Sequence, residues 1–104
     1  MDENRRKHKR IRIHNLAKIN DASCAIINVS KEGLLLTSDF ETTHKNVEIE
    51  LKIDGKWVAL QAAVVWFITN TVSKAVSMGV FIKKAPQEYR DFIDNLYLEA
   101  DEED

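Results

Sequence analysis

The clearest pattern along the chain is an alternation of period two. Val47, Ile49, Leu51 and Ile53 alternate with Glu48, Glu50 and Lys52, as in a strand with one wet face. Asp54-Gly55 follows, a dipeptide suited to the positive φ angles of a hairpin turn. The chain returns from Trp57 to Ile68 as a long run of β-branched and aromatic residues. This run is apolar at both parities, which predicts partial burial on both faces, one toward a barrel interior and one toward a helix. Asn70 marks the next turn, and Val76, Met78, Val80 and Ile82 alternate again. Upstream, Ile11 and Ile13 begin the same pattern, Cys24 to Val29 reads as another strand, and Leu34 to Thr37 is a short apolar run after Gly33.

One segment reads as a helix. Pro86 suits a first helical turn, where its missing N–H costs nothing. Tyr89, Phe92, Ile93, Leu96 and Tyr97 then share one face, opposite Arg90, Asp91, Asp94 and Asn95, which predicts a lid on the sheet. About six strands and a terminal helix in 104 residues predict a mainly β protein of one domain. A closed or nearly closed antiparallel barrel suits so many short strands, because closure removes exposed edges.

Composition and charge sharpen this picture. A hydrophobic fraction of 44% is enough for a packed interior. The longest apolar stretch, Ala62 to Ile68, is far shorter than the ~20 residues of a membrane helix, so no membrane insertion is expected. No apolar segment follows the charged start, so no secretory signal is expected, and the lone thiol of Cys24 suits a reducing, cytoplasmic setting. The net charge of -2 conceals a polarity. Arg5, Arg6, Lys7, Lys9, Arg10 and Arg12 crowd one end; Glu99, Asp101, Glu102, Glu103 and Asp104 crowd the other. The acidic end reads as a solvated, disordered tail. The arginine-rich arm is expected to seek phosphate, which guanidinium binds two oxygens at a time.

Catalytic chemistry finds no positive support. His8, His14 and His44 lack close ligand spacing, and with one cysteine a structural zinc site is not expected. There is no nucleophile elbow, P-loop or dinucleotide fingerprint, and neither His14 nor His44 is marked as a base for Ser30.

Two short patterns point instead to binding. Arg6 and Arg10 form an Arg-x-x-x-Arg; in an extended segment their Cα atoms lie about 13 Å apart, the reach of a dinucleotide. If the segment coils, the pair converges on one phosphate. Asn28, Ser30 and Gly33 form an Asn-x-Ser-x-x-Gly at a strand end. Asn offers donor and acceptor to a purine edge, Ser a hydroxyl, and Gly room for a close backbone approach or a positive φ. Each pattern alone is also compatible with a flexible basic arm and an ordinary turn.

In combination they resemble the PilZ domain family, whose hallmarks are an Arg-x-x-x-Arg near the N-terminus and an Asp/Asn-x-Ser-x-x-Gly after the second strand. Val64-Val65-Trp66 is similar to the family's Val-x-Trp strand, and Gly79-Val80-Phe81 to its Gly-hydrophobic-Phe strand, so the resemblance runs from about Arg5 to Leu98. It implies a six-stranded antiparallel PilZ-type β-barrel with a C-terminal α-helix that binds the bacterial second messenger cyclic di-GMP and is not an enzyme. No metal or cofactor beyond that ligand is implied. By resemblance, Arg6 and Arg10 contact phosphates and stack on guanines, Asn28 and Ser30 hydrogen-bond guanine and phosphate, and Gly33 allows close approach. Arg5 adds a third guanidinium, which either favours an intercalated ligand dimer or is one more solvated basic side chain. The chain then divides into a flexible basic arm (1–12), the barrel with its helix (13–98) and an acidic disordered tail (99–104). Ligand would order the arm and present a changed surface to a separate partner protein. The alternatives are a PilZ-like interaction module that ignores the nucleotide and a general nucleic-acid binder. The latter is disfavoured because aromatics are not concentrated beside the arm and the acidic tail would oppose a polyanion.

Overall fold

The computed structural model describes residues 10–42 and 45–102. Its elements are β1 (Ile11–Arg12), β2 (Leu16–Ile19), β3 (Ala22–Val29), β4 (Gly33–Ser38), β5 (Asn46–Ile53), β6 (Lys56–Thr69), β7 (Val76–Lys84) and α1 (Gln87–Glu102). Every strand pair is antiparallel, in the order β1-β3-β2-β5-β6-β7-β4, and a β3–β4 pairing closes the ring. β1 and β2 flank the same side of β3: Ile11 and Arg12 face Val29 and Asn28, while β2 takes Ala22 to Ala25. Counted as one interrupted strand, they make the expected six-stranded antiparallel barrel with a C-terminal helix.

Local chemistry explains the hairpins. Asp54 and Gly55 take φ of 50° and 80°, and Asn20 and Asp21 take 48° and 72°, so both two-residue turns have the paired positive φ that matches the strand twist. The alternation in β5 sends Val47, Ile49, Leu51 and Ile53 inward, where all four are buried. Burying each such side chain contributes roughly 1.5–3 kcal/mol. α1 lids one end of the barrel. Tyr89 and Ile93 are buried, Phe92, Leu96 and Tyr97 half-buried, and Arg90, Asp91, Asp94 and Asn95 face water.

Three expectations change. The stretch Val65 to Ile68 is not buried on both faces: Val65, Trp66, Phe67 and Ile68 are all exposed. β5 ends its register at Asn46 opposite Ala63, so the rest of β6 outruns that neighbour, and a bulge between Val64 and Trp66 reorients it. The acidic end does not begin a structureless tail at residue 99, because α1 continues through Glu102. Glu and Ala are good helix formers, and extending an existing helix costs little. Pro86 stands at the cap of α1 rather than within its first turn: its carbonyl accepts from the N–H groups of Tyr89 and Arg90 at 3.1 and 3.3 Å. Among the described residues no helix is long and apolar enough to cross a membrane.

Candidate functional site

The Asn28–Gly33 segment links β3 to β4, and its shape is set by Ser30. The Ser30 hydroxyl accepts from the N–H groups of Gly33 and Glu32 at 3.1 and 3.3 Å and points to the Gly33 carbonyl at 3.4 Å. The Ser30 N–H donates to the same carbonyl at 2.9 Å, and the Ser30 side chain is buried. This polar residue therefore holds the turn from inside. Its carbonyl accepts the Tyr89 hydroxyl at 2.8 Å, and the Lys31 N–H donates to the Tyr97 hydroxyl at 3.1 Å. Two tyrosines thus tie the turn to α1. Burial, with Tyr97 nearby as a smaller contribution, pushes the Tyr89 phenol far above its ordinary pKa, so it stays a donor.

Gly33 has no positive φ. Its missing side chain matters because a Cβ there would meet the Val80 carbonyl oxygen at 2.5 Å. The close approach it permits is that of β4 to β7.

Asn28 lies half-buried on the outer face of the barrel. A bulge at Ile27 makes this possible: Ile26 and Val29, three residues apart, both point inward, and Asn28 between them points out. The register then lays a row across five strands, with Arg12 opposite Asn28, Asn28 opposite Leu35, Leu35 opposite Gly79 and Gly79 opposite Trp66. The neighbouring row, Val29, Leu34 and Val80, is buried, so the first row faces outward. Beside it, Gly33 faces Phe81, which faces Ala63. Extending the β1–β3 register by one residue brings the exposed Arg10 level with Ser30.

The result is a graded outer surface. Arginines stand at one end, the Asn28 amide is next, and the low floor at Gly33 leads to the exposed rings of Trp66 and Phe81 at the other end. The Trp66 indole lies over Gly79, where a Cβ would collide with it. From Asn28 to Trp66 is three strand spacings, about 14 Å. Of the residues named from sequence, Arg10, Asn28, Ser30 and Gly33 come together here, while Arg5 and Arg6 lie outside the described residues. Sequence reasoning missed Arg12, Trp66 and Phe81 as members of this surface. The signals were present in Val64-Val65-Trp66 and Gly79-Val80-Phe81, which turn out to be cross-strand partners.

Among the described residues no cluster of three or more His, Cys, Asp or Glu side chains is placed to hold a metal ion. Burial pushes the Cys24 thiol up to about 11.

The chain is therefore a closed antiparallel β-barrel with a lid helix and a charged, partly aromatic outer face. The sequence matches the PilZ domain family over residues 4–99, and the chain belongs to that family, whose domains are cyclic di-GMP receptors and adaptors. Among solved structures, the Bacillus subtilis inhibitor of motility, MotI/DgrA, superposes with a TM-score of 0.72 at 12% identity. The match covers 88% of this chain and 48% of that one, so this chain spans about half the length of its structural neighbour. No curated protein matches the sequence.

Proposed function

We propose that this protein is a cyclic di-GMP receptor whose ligand lies on the outer barrel face beside the Asn28–Gly33 turn. The observation that carries the reading is the β1–β3 pairing, which sets Arg12 opposite Asn28 and carries Arg10 toward Ser30. The ligand has two anionic phosphodiesters and two flat purines. Arginine serves both, since its planar cation pairs with phosphate and stacks on π systems. Arg10, with Arg5 and Arg6 from the arm, grips the phosphates and covers the guanines; the Asn28 amide reads a guanine edge. Ser30 and Gly33 contribute by shaping the turn and keeping the floor low. Trp66 and Phe81 offer apolar ring surface within a dinucleotide's span. Binding changes the N-terminal arm and the barrel surface, and the altered surface is read by a separate protein.

Calorimetric titration with cyclic di-GMP tests this. A charge-assisted hydrogen bond is worth about 1.5–3 kcal/mol, so Arg10→Ala weakens binding by roughly ten- to a hundred-fold. GTP and a short oligonucleotide, each at low and high salt, serve as controls. A folded wild-type sample that gives no heat with cyclic di-GMP at high micromolar concentration ends the receptor reading.

A further inference from the structure

A second charged feature lies off the barrel face, where β7 leads into α1. Here a cleft of about 340 Å³ is lined by Lys31 from the β3–β4 turn, Ile82 to Ala85 from the strand exit, and Gln87, Arg90 and Asp94 from the helix, over the buried Tyr89 and Ile93. Four cations and one acid line it, although the whole chain is net -2. Two cations are engaged: the Lys31 ammonium lies 3.4 Å from Asp94, and Lys83 donates to the Asn46 side-chain oxygen at 3.0 Å. Lys84 and Arg90 are exposed and have no partner among the described residues. The volume falls within the ordinary range of ligand clefts, and Ile82 and Ala85 give the wall apolar character.

We infer that this cleft docks an acidic, partly apolar peptide segment of a partner protein, with its carboxylates on Lys84 and Arg90 and an apolar side chain against Ile82 and Ala85. The cations stand around a rim on three separate elements. That spread suits carboxylates distributed along a chain better than one compact phosphate, which needs donors converging on a point. A nucleic-acid strand fits less well, because the one aromatic ring lining the cleft, Tyr89, is buried and leaves no exposed face on which a base could stack, whereas Ile82 and Ala85 offer apolar wall to a peptide side chain. This site is independent of the nucleotide reading, although Lys31 belongs to the turn that carries Ser30 and Gly33.

The test uses the full chain and a fluorescein-labelled peptide alternating glutamate and leucine, followed by anisotropy at low salt. Comparison probes are the same peptide with glutamine for glutamate, inorganic phosphate and a short oligothymidylate. The acidic peptide is expected to bind, and raising salt to weaken it. The double reversal Lys84→Glu with Arg90→Glu should reduce affinity at least about tenfold. The control Lys56→Glu with Lys74→Glu, an equal charge change elsewhere on the surface, should leave it within about twofold. In the wild-type protein, peptide-induced amide shifts in a ¹⁵N correlation spectrum should centre on Lys83, Lys84 and Arg90, a readout that needs no variant to fold. The proposal is overturned if the acidic peptide fails to bind or its glutamine analogue binds equally. Equal weakening in both double variants, shifts elsewhere, or an oligothymidylate that outcompetes the peptide at the same residues would also overturn it.

Discussion

Replacing Gly33 by alanine separates two roles for this residue, and its effect can be worked from the structure. Gly33 opens β4 opposite Phe81. An added Cβ lies 2.5 Å from the Val80 carbonyl oxygen. That is roughly 0.9 Å inside the 3.4 Å at which ordinary contact begins. The oxygen is backbone and cannot rotate away, so the two strands must part by a similar amount. One hydrogen bond across the parting strands flanks the clash, Ile82 N–H to the Glu32 carbonyl at 2.7 Å. Lengthened by that amount, it passes the range of a real hydrogen bond. Its loss costs about 0.5–1.5 kcal/mol net, and with the strain of the displaced strand the total is about 1–3 kcal/mol, the usual cost of overpacking. For a domain of this size that lowers Tm by roughly 4–20 °C. Thermal unfolding followed by far-ultraviolet circular dichroism, without any nucleotide, reads it directly. If glycine were needed there only so that a ligand can approach, the ligand-free variant would melt within about 2 °C of wild type and lose nucleotide affinity alone. That result would refute the assignment of Gly33 to the β4–β7 contact.

Other consequences are as direct. Tyr89→Phe strips the Ser30 carbonyl of its buried donor and should cost about 1–3 kcal/mol in urea unfolding; an unchanged midpoint would mean the tie between α1 and the turn contributes nothing. Gly79→Ala pushes the Trp66 indole off the barrel wall, so in a Trp57→Phe background its emission should shift to the red, and an unshifted spectrum would contradict the contact. The Cys24 thiol, held up to about 11 by burial, is protonated at neutral pH in the folded protein. Its alkylation should be slow near about pH 8, climb nearly tenfold per pH unit toward that value, and accelerate when urea unfolds the chain. Equal rates in folded and unfolded protein would rule out the burial effect.

Much of the architecture was legible in the residues. The period-two runs of β5 and β7, the Asp54-Gly55 turn and the helical face of Tyr89, Phe92, Ile93, Leu96 and Tyr97 are local signals, each readable within a few residues of itself. The turn pattern Asn28-x-Ser30-x-x-Gly33 was equally plain, but its inner mechanics were not. Ser30 turns its hydroxyl back into the loop, and nothing in a hydroxyl's identity says whether it faces a ligand or its own backbone. The apolar stretch after Ala63 misled because hydrophobicity reports affinity for burial, whereas exposure there follows from where β5 stops and where a bulge falls.

Alone, then, the sequence determined which segments extend, which turn and which coil, and it carried both family patterns in their expected order. Tertiary structure decided which side chains share a face. Ring closure pairs β3 with β4 and β4 with β7, and the bulges at Ile27 and Val65 set the phase of each strand, so Asn28, Leu35 and Trp66 fall on one outer row. The reason is physical: strand identity depends on neighbouring residues, but the phase between distant strands is a property of the whole closed sheet, where a one-residue slip would turn every side chain to the opposite face.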